Sequence, residues 1–105
     1  YMNILHDVIS RSGGDWQQVR DALIHDPRIG ESHTSPIHKS GRGAGGHCFI
    51  KDFEAFRELY AKVDLDQWGA EVLRTLSEKN RALLVQSNKD PDLVEAVYGD
   101  VERFR

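Results

Sequence analysis

Apolar positions recur at helical spacing along most of the chain. Ile4, Leu5, Val8 and Ile9 return to one face between Met2 and Ser12, and the Gly13-Gly14 pair offers the left-handed stop with which helices commonly end. Tyr1 begins in mid-pattern with no capping residue ahead of it, so this first helix is expected to continue upstream in a parent protein. Asp15, followed three residues later by Gln18, has the form of a capping box, and Trp16, Val19 and Leu23 line a second helix to about His25. Asp26-Pro27 breaks it, because proline cannot continue the hydrogen-bond ladder and biases its predecessor away from helical angles. Phe49, Ile50, Phe53, Phe56, Leu59, Tyr60 and Val63 predict a third helix from about Cys48 to Lys62 with a broad apolar stripe. A fourth, carrying Leu65, Trp68, Val72, Leu76, Leu83 and Leu84, extends to about Ser87 and would be on the order of 34 Å long at 1.5 Å per residue. Asp90 and Pro91 supply the cap and first turn of a short fifth helix, with Leu93, Val94 and Val97 behind them and Gly99 as its stop. No alternating strand pattern and no internal repeat appears, so the expectation is an all-α domain of about five helices.

Between Arg28 and Gly46 the periodicity is lost. Five of the nine glycines fall there, with Pro36, four serine or threonine hydroxyls and two histidines. The stretch reads as a long glycine-rich loop before the third helix. Loops beyond about 12–15 residues are uncommon in compact domains unless they bind something, the plain alternative being a disordered surface excursion. Gly41, Gly43 and Gly46 spell G-x-G-x-x-G, yet no strand precedes them and no βαβ unit surrounds them, which rejects a dinucleotide fingerprint. A phosphate-binding P-loop fails as well, because His47-Cys48 follow in place of Lys and a hydroxyl residue. The glycines instead let a backbone pass close to a ligand or a neighbouring element without Cβ collisions.

With 105 residues the chain bounds one compact core, and 39% hydrophobic with 30% charged residues is ordinary globular composition. A net charge of -3 gives no footprint for nucleic acid or an anionic membrane, and no apolar run is long enough for a span. With no signal segment at its start, the expected location is the cytoplasm. One cysteine excludes an internal disulfide and leaves Cys48 as a buried small hydrophobe, an intermolecular partner or a reactive thiolate. At the N-terminus of a helix a thiol meets unsatisfied N–H groups and the positive end of the dipole, which favours the thiolate. Lys51 and Asp52 follow at helical spacing and project from the same face. His25, His33, His38, His47 and Cys48 lack the close ligand pairs of a structural metal site.

Three strings carry a resemblance: Asp26-Pro27-Arg28-Ile29-Gly30, then Ser32-His33-Thr34, then Gly43-Ala44-Gly45-Gly46-His47-Cys48-Phe49-Ile50-Lys51-Asp52. In this order they resemble the UDP-glucose/GDP-mannose dehydrogenase family over about the first two thirds of the chain. The resemblance implies the family's central helical dimerisation segment, spanning 1–105, without the NAD-binding Rossmann domain and therefore inactive alone. It implies an NAD-dependent, two-step oxidation of a sugar C6 alcohol to a carboxylate, with Cys48 as nucleophile through a thiohemiacetal and a thioester. Asp52 matches the carboxylate that works with water and proton transfer, and Lys51 a position on the cofactor side. Arg28 matches an arginine that reaches the nucleotide sugar of the neighbouring subunit in a homodimer. The loop would wrap the sugar nucleotide, with His33, Lys39, Gly41, Arg42, Gly43 and Gly45 as the implied substrate-binding residues. Ala44 stands where relatives have an aromatic, and Ile50 replaces a common proline. His47 is similar to the N-acetylhexosamine branch, whereas Phe49 with Lys51-Asp52 is similar to the UDP-glucose branch, which is the substrate favoured. The reading from another class is a stand-alone helical interaction module in which Cys48 only packs.

Overall fold

The computed structural model describes residues 1–38, 41–63, 66–99 and 101–105, with the backbone alone at His47. The chain is all-α in character, and its five helices lie where the apolar spacing puts them. They are α1 (Met2–Arg11), α2 (Trp16–Ile24), α3 (His47–Val63), α4 (Gln67–Gln86) and α5 (Pro91–Tyr98), followed by a single 3₁₀ turn at Glu102–Phe104. Two features escape the periodicity: two-residue strands β1 (Ile37–His38) and β2 (Gly41–Arg42) fall inside the stretch read as a loop. Two residues are too few to show an alternating pattern. Lys39 and Leu65, the latter expected to open the fourth helix, lie outside the described residues. The chain divides into two compact units, Tyr1–His38 and Lys39–Arg105.

In the first unit α2 is capped by Asp15, whose carboxylate accepts from the Gln17 N–H at 2.9 Å. The segment after α2 is fixed by Thr34, which is buried. Trp16 Nε1 donates to the Thr34 carbonyl at 3.2 Å, Arg20 Nε donates to its hydroxyl at 2.9 Å, and that hydroxyl donates to the Glu31 carbonyl at 2.6 Å. A buried hydroxyl with a donor and an acceptor is satisfied, so this part of the expected loop is an ordered turn rather than an excursion. The Trp16 ring also meets His6 edge-on at 5.5 Å between centroids.

The second unit is built around Ile50 of α3, Leu84 of α4 and Val94 of α5, which are 1%, 0% and 2% exposed. Leu93, Val97, Tyr98, Val85 and Val101 pack against them. At about 1.5–3 kcal/mol per fully buried aliphatic side chain this is a thin core. Asp66 caps α4 by accepting from the Trp68 and Gly69 N–H groups at 3.2 and 3.0 Å. The stripe read on the third helix splits in the structure: Ile50 is internal, while Phe49, Phe56, Leu59 and Val63 are exposed. On α4, Leu83 and Leu84 are buried, but Trp68, Val72 and Leu76 face outward, Trp68 at 71% exposure. The apolar pattern marked the helices correctly, and this chain's own core covers only part of the apolar faces of α3 and α4.

Candidate functional site

Cys48 lies in the first turn of α3 and is exposed. Lys51 and Asp52, one turn on, are exposed too, and Ile50 between them turns inward to the core. Four residues of one short sequence therefore take two directions: an apolar anchor fixes the turn, and a thiol, an ammonium and a carboxylate remain at the surface. Ile50 is almost wholly buried against Leu84 and Val94. Cys48 is not packed into this chain's own core.

The glycine segment that enters α3 is seated on residues 80–90. The Arg42 N–H donates to Ser87 Oγ at 2.8 Å, while the Ser87 hydroxyl donates to the Leu83 carbonyl at 2.7 Å. Lys89, only 8% exposed, donates from Nζ to the Gly43 carbonyl at 2.8 Å. The Asn80 amide grips Ala44 from both sides, accepting from its N–H at 2.7 Å and donating to its carbonyl at 2.9 Å. The Asp90 carboxylate accepts from the Gly46 N–H at 3.1 Å. Neutral bonds of this kind are worth about 0.5–1.5 kcal/mol each and those to charged groups about 1.5–3 kcal/mol, so the segment is held firmly.

This seating explains the glycines. Gly43 has φ +95°, and a Cβ there would meet Asn80 Oδ1, Leu83 Cβ and Leu84 Cγ at 3.1 Å. A Cβ on Gly45 would run into the Asp90 carboxylate and stand 3.3 Å from Lys89 Cε. Of the two explanations open from sequence, close passage to a ligand or to a neighbouring element, the second holds at both positions. The backbone N–H groups of Arg42, Ala44 and Gly46 are taken by Ser87, Asn80 and Asp90. Gly41 is buried against Lys89.

Arg28 and His33 belong to the first unit. Arg28 is 87% exposed and pairs bidentately with Asp26, Nε to Oδ1 at 3.0 Å and Nη2 to Oδ2 at 2.7 Å. The guanidinium holds the Asp26 carboxyl below the usual carboxylate range, and the carboxylate holds Arg28 above its own. His33 is exposed, with a left-handed backbone at φ 62°. Lys39 lies outside the described residues.

Sequence reasoning missed Asn80, Ser87 and Lys89 altogether and read Asp90 as a helix cap. They act 36–46 residues away from their partners, so no local pattern could reveal them. Tyr98 has its phenol pushed above the ordinary 10.0, first by burial. No helix among the described residues is long and apolar enough to cross a membrane.

The family model of the UDP-glucose/GDP-mannose dehydrogenase family, central domain, matches residues 1–82. The match thus extends beyond Asp52, where the quoted motifs end, through Asn80 and most of α4. No curated protein and no solved structure matches the chain.

Proposed function

The chain belongs to the UDP-glucose/GDP-mannose dehydrogenase family, and we propose that it is the central helical domain of a nucleotide-sugar 6-dehydrogenase oxidising the C6 alcohol of UDP-glucose to a carboxylate. The observation that carries this reading is an exposed Cys48 in the first turn of α3, one turn from Lys51 and Asp52, within the matched residues.

The role of each residue follows from its chemistry. Once the alcohol has become an aldehyde, Cys48 Sγ attacks the carbonyl carbon and the oxygen takes up a proton, giving a thiohemiacetal. NAD, when bound, accepts the hydride in each oxidation. After the second, the sugar is held on Cys48 as a thioester; water adds to the acyl carbon, Asp52 takes its proton, and the thiolate departs as the carboxylate forms. The exposure of Cys48 leaves room for a sugar and a water at sulfur.

The glycine segment does not fit a dinucleotide, because its Arg42, Ala44 and Gly46 N–H groups already meet protein side chains and no βαβ unit surrounds it among the described residues. NAD is therefore assigned mainly to a Rossmann domain outside these residues, with Lys51 flanking it, and the chain alone is expected to be inactive. In the second unit Lys39 and Arg42 are assigned to the sugar nucleotide, whereas Gly41, Gly43 and Gly45 seat the segment on residues 80–90. Arg28, exposed and already set in a planar fork by Asp26, is assigned to the nucleotide sugar held by a second copy, since a guanidinium grips phosphate oxygens two at a time. The outward apolar faces of α3 and α4 support a homodimer.

The substrate is tested by comparing the intact enzyme's kcat/KM for UDP-glucose, GDP-mannose and UDP-N-acetylglucosamine. Preference for UDP-glucose supports the assignment, and preference for either other sugar removes it while leaving the chemistry at Cys48 in place.

A further inference from the structure

We propose that Asn80, Ser87, Lys89 and Asp90 are positioning residues for Cys48, fixing the backbone of residues 42–46 and through it the direction in which the first turn of α3 presents the thiol. The inference rests on the reading of Cys48 as nucleophile, but its geometry stands apart from that reading. On a segment of five residues, three N–H groups and two carbonyls are taken by side chains from the last turns of α4 and the turn after it. The last grip, Asp90 on Gly46, lies two residues before Cys48.

Three details separate positioning from ordinary loop packing. The Asn80 amide uses its donor and its acceptor on one residue, Ala44, at 2.9 and 2.7 Å, which holds the peptide planes on both sides of Ala44. Lys89 buries its ammonium side chain to hold a single carbonyl, and a fold that needed only stability gains little from a buried charge where an apolar residue would pack. Gly43 and Gly45 are demanded by the approach to these same residues, so the glycines and the clamp form one device. Ser87 is itself held by the Leu83 carbonyl, so the clamp has a support of its own. A nucleophile profits from such fixing because small displacements of reacting atoms cost large factors in rate.

The lone cysteine permits a direct test on the full chain. A nitroxide label on Cys48 reports the order of the α3 first turn by its electron paramagnetic resonance line shape, with circular dichroism confirming that each variant is folded at the temperature used. Asn80→Ala and Ser87→Ala, both neutral changes, should make the label several-fold more mobile, and Ser87→Thr, which keeps the hydroxyl, should restore the wild-type spectrum. Asp66→Ala, which removes the cap at the opposite end of α4 and touches neither the clamp nor Ile50, should leave the spectrum unchanged. A spectrum moved equally by Asp66→Ala and Asn80→Ala, or moved by neither clamp variant, overturns the proposal. In the intact dehydrogenase Asn80→Ala should lower kcat by about 10–100-fold with KM for UDP-glucose nearly unchanged; wild-type kcat overturns the positioning role even if the label responds. Wild-type turnover in a Cys48→Ala enzyme would instead strike the nucleophile reading and leave the mechanical clamp standing.

Discussion

Asp90 occupies the N-cap position of α5, yet its carboxylate makes no bond to that helix and accepts instead from the Gly46 N–H, 3.1 Å away and on the doorstep of α3. Its backbone, at φ 48°, is in the left-handed region that a non-glycine residue seldom adopts. The position is thus held against local preference for the sake of a contact 44 residues distant. Asp90→Ala should destabilise the Lys39–Arg105 unit by about 1 kcal/mol, a fall in Tm of about 4–8 °C for a domain of this size. Asp90→Asn, which keeps an acceptor oxygen, should lose less. Thermal melts followed by circular dichroism check both, and an Asp90→Ala protein melting with wild type would show that the contact contributes nothing.

Gly45→Ala and Gly43→Ala test the close approach of the segment to residues 80–90. Gly45→Ala forces a methyl against the Asp90 carboxylate and Lys89, and should cost about 1–3 kcal/mol by overpacking. Gly43→Ala adds strain at φ +95° to contacts at 3.1 Å and should cost at least as much. Gly30→Ala is the control, because a Cβ there meets nothing within 4 Å. Denaturant midpoints that fall equally for all three would contradict the seating.

Much of this was legible in the chain, and the division has a physical basis. Helix positions follow from contacts within one or two turns, so the spacing of Val8, Trp16, Phe53, Leu84 and Val94 was sufficient to find α1 to α5. Cys48, Lys51 and Asp52 were found for the same reason, as neighbours on one turn of α3. What the pattern could not supply is the choice among apolar residues: Ile50 goes inward while Phe49 beside it stays out, and that is decided by what α4 and α5 bring to the far side. Nor could it supply the clamp, because Asn80 and Lys89 read locally as ordinary polar residues near the end of a helix. Thr34, likewise, looked like one hydroxyl among several in a loop, although it organises the turn after α2.

The alkaline limb of stability should carry the mark of Tyr98. Burial raises its folded phenol above 10.0, so the unfolded chain gives up the proton first. The stabilisation is therefore fully present below about pH 10, where the unfolded phenol titrates, and is lost as pH rises through the higher folded value. Urea unfolding at increasing alkaline pH should show a decline that is shallower in Tyr98→Phe. Parallel declines in the two proteins would mean that Tyr98 does not titrate differently on folding.

The outward faces of α3 and α4 should associate two copies. Trp68, Val72 and Leu76 on α4 with Phe56, Leu59 and Val63 on α3 expose more large apolar side chains than the core of the second unit buries. Trp68→Glu should shift the sedimentation boundary of the chain from dimer toward monomer while the helical circular dichroism is retained. A wild-type chain that remains monomeric at high micromolar concentration would count against the dimer.

The chemical role of the exposed Cys48 thiol is tested most directly by the NADH formed per UDP-glucose by the intact enzyme. The wild type should yield two NADH for each UDP-glucose carried to the carboxylate. Cys48→Ala should fold equally well and give no sustained turnover, and Cys48→Ser should stop at or before hydrolysis, because an alcohol ionises poorly and its ester is sluggish. Sustained formation of two NADH per UDP-glucose at the wild-type rate by Cys48→Ala would contradict the account and return Cys48 to a surface residue without a chemical role.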